Sequence, residues 1–129
     1  MARQSSEQPT EVELEILGIL WAQGKSTARD IHNALSKNRE TNYSTTVKML
    51  AVMFNKQLVK RNESTRPIRF SAAQSQTKTQ SRLLKNLVQK AYDGSFGSLV
   101  LQALSSKKTS TEELEKIRNL LDKIEKDTQ

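Results

Sequence analysis

Residues 42–71 constrain this chain most, because a short polar-capped helix runs there into two basic, strand-like stretches separated by a turn. Ser44 is placed to cap the helix, and Val47, Leu50, Met53 and Phe54 follow at i, i+3, i+6 and i+7, the spacing of one buried helical face. Thr45, Lys48 and Asn55 then fall on the opposite, polar face, with Val52 as the exception. Residues 58–61 and 68–71 read as strands around 62–67, whose polar residues and proline suit a turn. Six basic residues (Lys48, Lys56, Lys60, Arg61, Arg66 and Arg69) stand against Glu63 alone between positions 48 and 69, a balance suited to phosphate.

Upstream, Thr10 followed by Glu13 forms a capping-box pattern. Val12, Ile16, Ile19 and Leu20 mark the buried stripe of a first helix ending near Gly24, widened by Leu14, Leu17 and Trp21. Thr27 with Asp30 starts a second helix, whose modest apolar face is Ala28, Ile31 and Leu35, before a polar loop over 36–41. Lys25 and Ser26 are placed to add a short strand to the sheet of the wing. Three helices and a two-stranded wing give the order of a winged helix-turn-helix. Residues 1–9 are expected as a flexible tail and 10–72 as the DNA-binding domain.

Residues 73–79 are rich in Gln, Ser and Thr and read as a connector or a polar first helical turn. Beyond them Leu83, Leu84, Leu87, Val88 and Ala91 form one amphipathic stripe, and Phe96, Leu99, Val100, Ala103 and Leu104 form a second after Asp93-Gly94. A third helix starts after Ser110 or Thr111, with Leu114, Ile117, Leu121 and Ile124 alternating by threes and fours and Leu120 beside them. Three helices of this size bury too little surface to stand alone, so a second subunit is the natural cover. The expected fold is mainly α with a small β-wing: a winged helix-turn-helix domain followed by a helical dimerisation region over 73–129. Leu84, Leu87, Phe96, Leu99, Val100, Leu114, Ile117, Leu121 and Ile124 are its expected contacts.

The candidate DNA-binding residues are Tyr43, Ser44, Thr45, Lys48, Met49, Lys60, Arg61, Arg66 and Arg69. Thr45 and Lys48 fall where a recognition helix meets base edges and phosphates, and the hydroxyl of Ser44 is shared between that role and capping. Met49 either touches a thymine methyl or packs; Tyr43 either offers its hydroxyl to a phosphate or packs its ring on Val47 or Leu50. Lys60, Arg61, Arg66 and Arg69 are a phosphate-gripping wing or a solvated hairpin. Alternation along a strand forbids Lys60 and Arg61 from facing the same way, and Arg66 at the turn is the strongest of the four.

Trp21 reads as core, His32 as a surface or boundary residue, and Glu112, Glu113 and Glu115 as favourable first-turn charges on the last helix. The 129 residues contain no cysteine and one histidine, which removes disulfides, thiolate chemistry and the usual metal sets, and no catalytic constellation stands out; neither an enzyme nor a cofactor is expected. A formal charge of +7 favours an anionic partner. Residues 1–10 lack an apolar signal-like core and no run approaches the roughly 18 apolar residues of a membrane span, so the expected compartment is the cytoplasm, with no membrane partner.

The chain resembles the penicillinase-repressor family of winged-helix transcription regulators, the BlaI/MecI type. The resemblance rests on Glu13 to Trp21 with its Ile-Leu-Trp end, on Ser26-Thr27-Ala28-Arg29-Asp30-Ile31, and on Tyr43-Ser44-Thr45-Thr46-Val47-Lys48. In the second half it rests on Gly94-Ser95-Phe96-Gly97-Ser98-Leu99-Val100, on Glu112-Glu113-Leu114 and on Ile117-Arg118-Asn119-Leu120-Leu121. It implies a homodimeric repressor whose winged helices bind a palindromic double-stranded DNA operator. It also implies, for the antibiotic-sensing members, a regulatory protease that cuts an Asn-Phe bond in the dimerisation helix. Gln102-Ala103 stands at that point here, a departure that leaves open whether proteolysis relieves repression, and the absence of cysteine separates the chain from the copper-responsive branch. Gln57 replaces a glycine common in relatives just past the recognition helix, which implies a different C-cap or some strain. The alternative is a winged-helix module that docks a protein through the same helix and wing.

Overall fold

A computed structural model describes residues 8–106 and 108–128. The order is α1 (Glu11–Gln23), β1 (Ser26–Thr27), α2 (Ala28–Leu35), α3 (Tyr43–Asn55), β2 (Val59–Asn62), β3 (Arg69–Ala72), α4 (Gln76–Ala91), α5 (Phe96–Ser106) and α6 (Thr111–Thr128). Six helices and a three-stranded antiparallel sheet in the order β1-β3-β2 make a mainly helical winged helix. Of the tail expected over 1–9, residues 1–7 lie outside the described residues.

The helix starts follow the capping chemistry. Thr10 and Glu13 close a complete capping box on α1, and Thr27 and Asp30 do the same on α2. Gly24 ends α1 at φ 81°, a left-handed position that glycine takes without steric cost. The cap of α3 is Asn42 and not Ser44: the Asn42 side chain accepts from the Thr45 backbone amide at 2.9 Å, two residues earlier than the sequence pattern placed it.

One core joins the three helices and the sheet, built from Ile16, Leu17, Leu20, Ile31, Leu35, Leu50, Met53 and Val59. The buried face of α3 is Thr46, Leu50 and Met53. Val47, expected on that face, is 41% exposed, while the hydroxyl-bearing Thr46 is fully buried. Thr46 is tolerated inside because its Oγ1 meets His32 Nδ1 at 2.9 Å and lies 3.5 Å from the carbonyl of Asn42. Trp21 sits at the edge of the core and donates its Nε1–H to the Gln74 carbonyl at 3.0 Å, tying α1 to the chain after β3.

Glu13 is 3% exposed. Its carboxylate takes the Thr10 amide at 2.9 Å and both oxygens lie 3.0 Å from Lys56 Nζ, so one residue caps α1 and pins the end of α3 to it. Lys56 therefore leaves the basic set that the sequence offered to phosphate; its charge balances a buried carboxylate inside the domain.

The chain divides into two compact units, one running to Leu83 and one from Leu84, so the first turns of α4 belong with the winged helix. In the second unit Val88 is buried, the α4–α5 turn is closed by the Gly94 amide on the Val88 carbonyl at 2.9 Å, and Ser110 caps α6 by accepting the Glu113 amide at 3.1 Å. Leu84, Leu87, Phe96, Leu120, Leu121 and Ile124 are exposed, whereas Leu99, Val100, Leu114 and Ile117 are half-buried. Gln102 and Ala103 lie exposed within α5, and Gln102 Oε1 accepts from the Tyr92 hydroxyl at 3.1 Å.

Candidate nucleic-acid interface

The first turn of α3 is organised by one side chain. Asn42 Oδ1 accepts the Thr45 amide at 2.9 Å, the Thr45 hydroxyl at 2.8 Å and the Ser44 hydroxyl at 2.9 Å. Both hydroxyls spend their single donor hydrogen inward and keep lone pairs outward, so the exposed tip of the helix presents acceptors and the Thr45 methyl. Lys48, one turn on, is exposed and makes no ion pair among the described residues. Met49 is half-buried against the core, the packing one of its two readings. Tyr43 uses its ring for packing. Its ring meets the His32 ring edge-on, with centroids 5.7 Å apart, and carries the Arg29 guanidinium 3.8 Å above its centre.

The wing sorts its cations by register. Arg61 pairs with Phe70 and Val59 with Ala72, so these four share the face that carries the core contacts; Lys60 opposite Ser71 and Asn62 opposite Arg69 share the other. Arg61 lies over the Phe54 ring at 3.9 Å and its Nη2 is ion-paired to Glu63 at 2.8 Å, which engages it inside the domain. Lys60 and Arg69 are exposed together on the outer face without an ion pair among the described residues. Arg66, at the turn, donates Nη1 to the carbonyls of Glu63 at 2.7 Å and Thr65 at 3.0 Å, which orients an exposed guanidinium that no carboxylate neutralises among the described residues.

Intramolecular pairing thus separates two classes of cation in the winged helix. Lys56, Arg61 and Arg39 are balanced by Glu13, Glu63 and Glu15; Arg29, Lys48, Lys60, Arg66 and Arg69 have no such partner among the described residues. The Arg39 side-chain hydrogen bond holds the Glu15 carboxyl below its usual range, against the opposing pull of desolvation, and the same contact raises Arg39. Arg29 and Asn42 are the residues the sequence reading left without a role, and His32, read as a surface or boundary residue, is half-buried against Thr46 and Tyr43. Asn42 could have been found by its capping preference immediately before Tyr43, whereas the stacking of Arg29 on Tyr43 exists only after α2 and α3 have packed.

Among the described residues no group of three or more His, Asp or Glu side chains is placed to hold a metal, and no helix is long and apolar enough to cross a membrane. What the surface offers is an exposed helix tip, a basic wing face and unpaired guanidinium groups, the chemistry that binds a phosphate backbone and reads base edges.

Comparison with known proteins gives a consistent answer. Residues 9–123 match the family model described as penicillinase repressor. The methicillin resistance regulatory protein MecI of Mammaliicoccus sciuri is 24% identical over 114 residues, covering 88% of this chain and 93% of that protein. MecI of Staphylococcus aureus strain N315 is 23% identical with the same coverage, and the penicillinase repressor of Staphylococcus aureus is 24% identical over 114 residues, 90% of its length. The winged-helix architecture and a family match spanning both halves of the chain converge: this protein belongs to the penicillinase repressor family.

Proposed function

We propose that the chain is a sequence-specific transcriptional repressor that acts as a homodimer on a palindromic operator in double-stranded DNA. The observation that carries the reading is the first turn of α3, where outward hydroxyl lone pairs and unpaired Lys48 stand exposed beside a wing face bearing Lys60 and Arg69. In this reading Thr45 and Ser44 accept from base amino groups in the major groove, Lys48 contacts a phosphate or a guanine edge, and Lys60, Arg66 and Arg69 grip the backbone. Two such helices held by the second units reach successive major grooves on one face of the duplex, about 34 Å apart. Repression follows from occupancy. The exposed apolar residues of the second unit support the dimer, since monomers seldom leave large contiguous apolar patches open.

The test is a selection of genomic fragments bound by the full chain at low and near-physiological salt. A palindromic site retained at the higher salt is the expected result; binding erased by salt with no common motif would overturn the reading. On the recovered site, Lys48→Ala is expected to weaken binding and, if it touches a phosphate, to reduce the salt slope by about one unit. Unchanged affinity would remove Lys48 from the interface.

A second reading has one observation in its favour: Val47 and Val52 are exposed on α3, 41% and 47%, where a protein partner would bury them. Binding that ignores DNA sequence and is lost on Val52→Ser would favour that module.

A further inference from the structure

Arg29 is the best-braced unpaired cation of the winged helix. Its guanidinium carbon lies over the Tyr43 ring, 3.8 Å from the centre. The ring is held by the edge of His32, and His32 is anchored through Nδ1 to the fully buried Thr46. Stacking occupies the face of a guanidinium and leaves its in-plane N–H fork open, which is the geometry that takes a phosphate through two parallel hydrogen bonds. Arg61 is the internal control. It too lies over a ring, Phe54, at 3.9 Å, yet its Nη2 is ion-paired to Glu63 at 2.8 Å; Arg29 has no carboxylate or hydrogen-bond acceptor among the described residues.

Arg29 also stands at the rim of a cleft of about 380 Å³ between the helix-turn-helix and the wing. Its apolar walls include Val47, Ile68 and Phe70, and Arg66 lies on the same cleft. Arg66 is fixed there by Nη1 on two carbonyls, with Nη2 uncommitted among the described residues. Two oriented guanidinium groups over an apolar floor match one unit of the DNA backbone, a phosphodiester between the forks with its deoxyribose against the floor. We infer that Arg29 and Arg66 form a backbone clamp that seats one phosphate per half-site, with Tyr43 as the positioning residue for Arg29. The inference rests on the DNA-binding reading above and adds to it a residue of α2, outside the recognition helix and the wing strands.

The test uses the full chain and the operator fragment recovered by selection. Arg29→Gln with Arg66→Gln is expected to lower the slope of log affinity against log salt by about one unit per half-site, for the one phosphate they share, and Arg29→Gln alone by part of that. Arg29→Lys keeps the charge, so it is expected to keep the slope while binding more weakly. Tyr43→Phe is expected to bind as the parent does, and Tyr43→Leu to weaken binding with the slope unchanged, because the charge remains but its direction is lost. Ethylation of one phosphate in each half-site is expected to block the parent, to weaken Arg29→Gln less, and to have no further effect on Arg29→Gln with Arg66→Gln. Thermal unfolding of Arg29→Gln checks that the exposed substitution leaves the domain folded. If the parent selects a site while Arg29→Gln, folded, keeps its slope and ethylation pattern, the clamp is wrong and the repressor reading survives. If the parent selects no sequence at all, both fall together.

Discussion

Two residues at the ends of α3 show how a single side chain sets the local geometry. At the start, the Asn42 carboxamide oxygen gathers an amide and two hydroxyls, so the acceptors shown to solvent by Ser44 and Thr45 depend on the cap. At the end, Gln57 holds φ 67°, with its amide on the Phe54 carbonyl at 3.0 Å and the Leu58 amide on the Met53 carbonyl at 2.9 Å, the paired bonds of a Schellman ending. The glycine-like conformation is kept although the glycine is gone. A left-handed non-glycine residue costs about 1–2 kcal/mol, and glycine would return about 0.4–1 kcal/mol of that through a freer unfolded chain. Gln57→Gly is therefore expected to stabilise the domain by about 0.5–1 kcal/mol. The check is the denaturant midpoint at constant m-value, and a midpoint that stays or falls would show that the ending is relaxed as it stands.

Between elements, the ion pairs decide which charges are structural. Arg39 in the loop after α2 reaches back to Glu15 on α1, and the contact holds the Glu15 carboxyl below its ordinary range. The folded state thus binds that proton less firmly than the unfolded one. Its contribution is full above the unfolded carboxylate pKa and is lost as pH falls through the folded value. Glu15→Gln is expected to lower the melting temperature slightly at pH 7, with the gap from the parent closing as pH falls through the carboxylate range; a gap independent of pH would assign the effect to packing. Such long-range pairings were the illegible part of the sequence. Capping boxes at Thr10 and Thr27, the stripe of α1 and the short strand at Ser26 could be read from local pattern, because each is a matter of three or four neighbouring residues. Local pattern also misplaced Val47 and missed Thr46, since periodicity counts a threonine as polar until His32 arrives from another helix to satisfy it. Likewise the count of basic residues near the wing was correct, but nothing in it revealed that Glu13 would claim Lys56 or that Phe54 and Glu63 would hold Arg61.

At the scale of the molecule, the two units divide the proposed work, one presenting cations and acceptors and the other apolar surface. The second unit is locally well capped yet leaves Phe96 at 56%, Leu101 at 69% and Leu121 at 56% exposed, a poor bargain for a helix in water unless another surface covers it. In the proposed homodimer a second copy is that cover, and it also accounts for the proposed operator reading, because one winged helix would grip only a half-site. Tethering converts the second half-site contact into an intramolecular event, a gain of about 10²–10⁴ in affinity. Leu121→Asp places a charge in the α6 seam without touching the first unit's core, so the domain should fold and still bind a half-site weakly. It is expected to sediment as a monomer and to lose about a hundredfold or more in operator affinity, while keeping the salt response of a single winged helix. A dimer that survives the substitution in the ultracentrifuge would move the interface away from α6, and a monomer with undiminished operator affinity would detach repression from dimerisation altogether.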